Sequence, residues 1–329
     1  MSQSQFTAKP SAPLRAAAAC SGPAGQAVVD TAQPRWAHIA APAAVALAAV
    51  LWGASFTFGK IVLRQLDPIQ TVLWRFILAA LPFSAVLLWR RERLRLTDLP
   101  QFLLAAFLGV PALMLLQYIG LSMTAAATAA LLIGTFPAVV AVAAVTIRHE
   151  RLGAAGWGAV LASSVGAAMI VGLAPSAGGW MGPALILLSM VAAAGWVLTC
   201  KQLMVRYSAL ATTAYTMLLG TLMLLPFDAL SSQSMRVIMH VDASTWVGLV
   251  GLGVLCTFVA FCLANWGLRH MPAYRAGILN NLEPLIGALL GEVILHERVS
   301  GLSWLGGGLI LLAAVTVSLS PLRERARAR

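Results

Sequence analysis

The stretch GLSMTAAATAALLIGTFPAVVAVAAVTIRHERLGAAGW at 120–157 is answered by GLRHMPAYRAGILNNLEPLIGALLGEVILHERVSGLSW at 267–304. A constant shift of 147 lays Gly120 on Gly267, Leu121 on Leu268, Pro137 on Pro284 and Trp157 on Trp304. The same shift lays His149-Glu150-Arg151 on His296-Glu297-Arg298 without a gap. The copies cover the third to fifth and the eighth to tenth apolar runs of the chain. An odd number of membrane crossings between them inverts the second copy, the arrangement of carriers that alternate access around a midplane site.

Outward from this repeat, ten apolar runs lie at roughly 38–63, 70–89, 101–121, 126–147, 153–173, 181–201, 209–229, 245–268, 273–295 and 301–320, each near the ~20 residues that cross a hydrocarbon layer. Turn formers interrupt them at Asp67-Pro68, Asp98-Leu99-Pro100, Pro175 to Gly179 and Met271-Pro272. Of the 329 residues 60% are hydrophobic and 10% charged, whereas soluble chains carry about 25% charged residues. Lipid is therefore the solvent, and backbone groups must be satisfied inside helices. The expected fold is an all-α polytopic membrane protein of ten transmembrane helices in two inverted five-helix repeats, 38–173 and 181–320. A disordered tail, 1–37, and a basic tail, 321–329, flank them.

Basic residues fix the orientation. Seventeen Lys and Arg fall on the side that holds both termini, among them Arg90, Arg91, Arg93, Arg95, Arg323, Arg325, Arg327 and Arg329. Four fall on the other: Lys60, Arg64, Arg236 and Arg298. Both termini are expected to be cytoplasmic, in a cell (inner) membrane. Charge follows the side and not the repeat, since Arg148 aligns with Leu295, and Arg269 and Arg275 align with Ser122 and Thr128. The net charge of +11 is explained by topology, so no nucleic-acid partner is expected. Cys20, Cys200, Cys256 and Cys262 lack metal-ligand spacing, and no cofactor or metal is expected. The tail lacks the apolar stretch of a signal peptide.

Trp52-Gly53-Ala54-Ser55-Phe56 with Lys60, Asp67-Pro68 and Arg75, together with the paired endings Pro137 with Glu150 and Leu282-Glu283-Pro284 with Glu297, resemble the EamA-like drug/metabolite transporters over residues 40–320. The resemblance implies a ten-helix carrier for small metabolites such as amino acids, usually outward, with no universal catalytic group. The halves are not identical. Phe136 stands where the second copy has Glu283, and the seventh run has no counterpart of Arg75.

Glu283 lies near the bilayer centre, where an ionised side chain costs at least ~2.5 kcal/mol. Asn280 and Asn281 make the same helix polar. Glu283 either touches substrate or exchanges protons in a wet cavity, or bonds as a neutral acid to a neighbouring helix. Arg75 and Glu292 lie at equal depth, which permits an ion pair that gates or braces, or separate snorkelling to the interface. Trp52, Tyr118, Trp196, Tyr215, Trp266 and Tyr274 are candidate cavity aromatics. Pro137 and Pro284 are candidate helix kinks, either rocking points or static bends. Glu150 and Glu297 read as interfacial anchors or loop ion-pair partners, Lys60 and Lys201 as snorkelling ends, and Gly287 with Gly291 as a close helix contact. The five histidines form no HExxH or convergent set, which argues against a membrane enzyme. The expected partners are lipid and a small-molecule substrate, with a homodimer left open, and the expected activity is transport, with efflux of drugs or import as alternatives.

Overall fold

The computed structural model describes residues 35–148, 154–173, 179–271 and 273–327. Residues 1–34, 149–153, 174–178, 272 and 328–329 lie outside the described residues, and with them the expectations for the N-terminal tail, for Glu150 and for turns at Pro175 and Pro272. Among those described, every regular element is helical. We number the helices α1 (Arg35–Val62), α2 (Pro68–Arg90), α3 (Leu96–Met123), α4 (Ala126–Ile133 continued by Phe136–Arg148) and α5 (Ala154–Leu173). After them come α6 (Met181–Leu203), α7 (Ala209–Leu224), α8 (Ala243–His270), α9 (Ala273–Asn280 continued by Leu282–Leu295) and α10 (Gly301–Arg327). Eight of these are long and apolar enough to cross a membrane, whereas α5 and α10 hold shorter apolar stretches, Gly156–Val171 and Gly301–Thr316.

Local chemistry sets the helix ends. Asp67 caps α2 by accepting the Gln70 N–H at 2.8 Å, with Pro68 in the first turn where its missing N–H is harmless. Ser208 caps α7 in the same way through the Ala211 N–H. Two helices widen in mid-course. In α3 the turns Leu108–Leu115 are π-helical around Pro111, which cannot donate. In α8 Gly251–Val259 widens too, and Thr257 donates its hydroxyl to Leu252 O at 2.8 Å, so the side chain serves a carbonyl of the widened turn. Helices α4 and α9 each break once, at Gly134–Thr135 and at Asn281. Pro137 and Pro284 follow these breaks in the first turn of the second segment.

Large apolar side chains face outward, Leu88 at 79% exposed and Trp89 at 81% among them, as lipid permits and water does not. Lipid also removes any hydrophobic drive between helices, so contact depends on small residues that let backbones meet. The clearest case joins α1 to α9. A Cβ placed on Gly53 would stand 2.7 Å from Glu283 O and 2.9 Å from the Gly287 N, and one on Gly287 would stand 2.5 Å from the Ala130 Cβ of α4. Here Gly287 and Gly291 form the close contact expected of them. Gly120 of α3 packs on Gly182 and Ile186 of α6, and Gly267 of α8 packs on Ala41 and Val45 of α1.

Because the atoms facing Gly53 are main chain and cannot swing away, Gly53→Ala is expected to destabilise the protein by about 1–3 kcal/mol. Gly308→Ala, which meets nothing within 4 Å, is the control. Thermal unfolding in detergent checks both, with a lowered midpoint for the first and none for the second.

Candidate functional site

Arg75 on α2 is 5% exposed, in a helix that enters lipid. Its Nε donates to Thr257 Oγ1 at 2.9 Å and its Nη1 to Tyr118 Oη at 2.9 Å. Tyr118 and Thr257 are themselves buried, on α3 and α8, and the Tyr118 and Phe76 rings each lie 5.7 Å from the guanidinium carbon. Gly59 of α1 makes room for the phenol, since a Cβ there would stand 3.2 Å from Tyr118 Cε1. Three helices therefore meet at one cation, and α1 packs against its phenol partner. The relay continues from Thr257 to the widened turn at Leu252 O.

A second group lies between α1, α6 and α8. Trp52 and Phe261 meet edge to face at 5.3 Å between ring centroids, and Trp196 meets the same Phe261 at 5.7 Å. Glu283 is half-buried, as are Trp52, Trp196, Phe261 and Asn280. Its carboxyl has no hydrogen-bond or ion-pair partner among the described residues. Three buried polar atoms nearby in sequence or packing also lack partners: Asn280 Oδ1, Asn281 Nδ2 and Trp196 Nε1.

Several expected residues lie elsewhere. Glu292 is exposed and makes no ion pair with Arg75, whose partners are Tyr118 and Thr257. Equal depth fixes only the axial coordinate, and the two side chains leave their helices on different faces. Tyr215 donates its hydroxyl to Glu92 O at 2.6 Å and stacks edge to face on Phe102, so its hydroxyl serves the loop after α2. Trp266 packs on His270 at the end of α8. The side chain of Tyr274 is outside the described residues. Phe261 and Thr257 had no signal in sequence, being ordinary members of an apolar run.

The two ends of the bundle carry polar networks. At one, Arg206 pairs with Asp98, Tyr207 donates to Asp98 at 2.8 Å, and Ser208 donates to Glu92. Glu92, Arg93, Arg95, Arg206 and Tyr207 line a pocket of about 340 Å³ there. At the other, Glu297 accepts the Ala126 and Ala127 N–H groups, each at 2.8 Å, and so caps α4 from beyond α9. Lys60, Arg64, Ser122 and Glu297 line a pocket of about 270 Å³ at that end. Asp67 accepts from Ser231 and Ser232 besides Gln70, tying α2 to the segment after α7.

A bundle of lipid-facing helices around a buried cation, an unpaired acid and an aromatic trio defines a polytopic membrane protein with a polar interior. The EamA-like transporter profile matches residues 40–172 and 180–319, and the chain belongs to that family of membrane transporters. An uncharacterized transporter of Archaeoglobus fulgidus is 27% identical over 273 residues, which cover 83% of this chain and 96% of that one. YicL, an uncharacterized inner membrane transporter of Salmonella typhimurium, is 28% identical over 300 residues, covering 86% and 96%. A solved crystal structure superposes with a TM-score of 0.60 at 18% identity, covering 87% of this chain and 98% of its own, which speaks for the fold alone.

Partial burial raises the Asp67 pKa, but the hydrogen bonds from Gln70, Ser231 and Ser232 outweigh it and hold the carboxyl below its usual range. The stability it contributes is complete above the ordinary carboxylate range and is lost as pH falls through the depressed folded value. Amide exchange in nanodiscs is expected to show Gln70 and residues 225–242 protected at neutral pH and loosened below about pH 4. Asp67→Asn should loosen them at neutral pH as well.

Proposed function

We propose that the chain is a secondary carrier exporting a small polar or amphipathic metabolite, an amino acid or related compound, by alternating access. It crosses the inner membrane ten times as two inverted halves, 38–173 and 181–320, with the tails 1–37 and 321–329 and both termini in the cytoplasm. The observation that carries this reading is an exchange of contacts between the halves. In a pair related by a two-fold axis, each contact from first half to second recurs from second to first. Gly120 against Gly182 and Ile186 recurs as Gly267 against Ala41 and Val45, with shifts of 147 for the α3 and α8 members and 141 for the α1 and α6 members. Gly220 against Ala106 and Val110 likewise recurs as Gly253 against Arg75 and Ala79. Secondary structure supports the same shift, since Ala126–Ile133 and Ala273–Asn280 stand 147 apart.

Burial differs between these matched elements. Of the residues in Ala126–Ala143, 61% are buried, against 22% in the most apolar stretch of Arg275–Leu295. Ala126–Ile133 of α4 is buried except at Thr128, whereas residues 277–280 of α9 are half-buried, and a carrier closed around the first segment and looser around the second would face the cytoplasm. Glu283, Asn280, Trp52 and Trp196, with Phe261, would line the cavity thus opened, and the breaks before Pro137 and Pro284 would serve as rocking points. The aromatic trio also suits a drug-like apolar group, so drug efflux or import by the same fold is the second reading. The names of the relatives favour transport over catalysis.

Proteoliposomes containing the purified protein are expected to move at least one member of a panel of amino acids, nucleosides and cationic drugs, and movement of none would contradict the proposal. If Glu283 exchanges protons, Glu283→Gln removes the dependence of flux on a pH gradient while flux down a solute gradient persists. Gradient dependence that survives the substitution would exclude that role.

A further inference from the structure

A basic cavity joins the loop after α2 to the loop after α6. Glu92, Arg93, Arg95, Arg206 and Tyr207 enclose about 340 Å³, within the ~300–1,000 Å³ usual for small-ligand sites. All five residues fall in two short gaps between apolar spans, one from Arg90 to Leu96 and the other from Leu203 to Ala209. The cavity therefore lies at the hydrocarbon boundary, in the layer that lipid headgroups occupy.

Hydrogen bonds fix the shape of the first loop. Tyr215 of α7 donates its hydroxyl to Glu92 O at 2.6 Å, and the Arg95 N–H donates to Tyr207 Oη at 3.1 Å. The main chain on both sides of Arg93 is thus pinned, and the arginine stems start from set positions. Both acids here are already engaged. Glu92 accepts from the Ser208 N–H and hydroxyl, and Asp98 accepts from Arg206 and Tyr207. The side chains of Arg93 and Arg95 make no hydrogen bond or ion pair among the described residues. Three guanidinium groups against two carboxylates leave one net positive charge, with two planar forks free for oxyanion oxygens.

This charge suits a phosphodiester, a free phosphate or a carboxylate equally, so the surroundings must choose among them. Leu96, next to Arg95 in the chain, is 82% exposed, and Val205, next to Arg206, is 80% exposed. Leu88 and Trp89 at the end of α2 are bared as well. A water-soluble anion would leave these apolar side chains uncovered, whereas an anionic lipid brings the charge and the hydrocarbon together.

We infer that the cavity binds the phosphodiester headgroup of an anionic phospholipid, with Arg93 and Arg95 on the phosphate oxygens and the acyl chains along Leu96 and Val205. The bound lipid braces the two loops beside the Asp98 and Arg206 pair. Only the placement of the chain in a membrane is required, whichever solute is carried.

The full chain, stripped of lipid in a neutral detergent, is titrated with short-chain phosphatidylglycerol, short-chain phosphatidylcholine and inorganic phosphate, with calorimetry as the readout. Phosphatidylglycerol is expected to bind saturably and about tenfold more tightly than either of the others. Arg93→Gln combined with Arg95→Gln should weaken it about thirtyfold. The matching pair of lysine substitutions, which keeps the charge and loses the forks, should recover part of that loss. Arg90→Gln with Lys201→Gln removes the same charge from the same end but outside the cavity, and is expected to change the affinity by no more than about twofold. Equal losses in the two glutamine pairs would mean diffuse surface charge and overturn the inference. So would the absence of saturable binding, or phosphatidylcholine binding as tightly as phosphatidylglycerol. Phosphate binding as tightly as phosphatidylglycerol would overturn the lipid assignment in favour of a free anion. Should the Arg93 and Arg95 variant fail to fold, the ranking of the three ligands on the unmutated chain still decides.

Discussion

A guanidinium placed in hydrocarbon must have its charge and its donors accommodated by the protein, and the helices around Arg75 are arranged to do so. Tyr118 and Thr257 take two donors, two aromatic rings lie beside the cation, and Gly59 gives the phenol its space. The demand extends to the backbone. Thr257 can offer an oxygen to Arg75 because its own proton goes to Leu252 O, a bond that spans five residues of the widened turn of α8. Gly253 allows that turn to sit against the Arg75 carbonyl, where a Cβ would come within 2.7 Å. Local widening of one helix and the placing of a charge on another are thus parts of the same solution.

The outer arrangement follows from a different constraint. With no hydrophobic drive between helices in lipid, close backbone contact and main-chain capping hold the bundle. The Gly53 and Gly287 contact brings α1 against α9, and Glu297 ties the end of α9 to the start of α4 through two N–H groups. Both features lie at the end where the first half of α4 is buried. In the proposed carrier they are the contacts that must loosen when the opposite face opens, and Glu297 is the one polar latch among them that uses a side chain.

Much of this was legible in the sequence because repetition and polarity stand out against an apolar background. The 147-residue shift located the paired breaks before Pro137 and Pro284, and a lone Arg in the second apolar run and a Glu in the middle of the ninth singled out Arg75 and Glu283. Partners were harder. Depth along a helix suggested Glu292 for Arg75, but the angle around the axis decided for Tyr118 and Thr257. Phe261, which joins Trp52 to Trp196, looks like any other apolar residue in α8. Glu297 found its partners in main-chain N–H groups about 170 residues away, which no side-chain pattern announces. Tyr215 had the right character for a cavity, yet its hydroxyl was taken by Glu92 O of a loop whose path the sequence does not specify.

The central claim is that two inverted halves exchange access to one interior site, and labelling of single cysteines in oriented membrane vesicles tests it most directly. Ile278→Cys on the half-buried segment of α9 and Ala130→Cys on its buried counterpart in α4 are the positions to compare. With a membrane-impermeant thiol reagent, the account expects Ile278→Cys to react from the cytoplasmic side at rest and Ala130→Cys to be silent. Under active exchange Ala130→Cys should become reactive from the opposite side while labelling of Ile278→Cys falls. Reaction of both positions from the same side, or no reciprocal change during exchange, would contradict it.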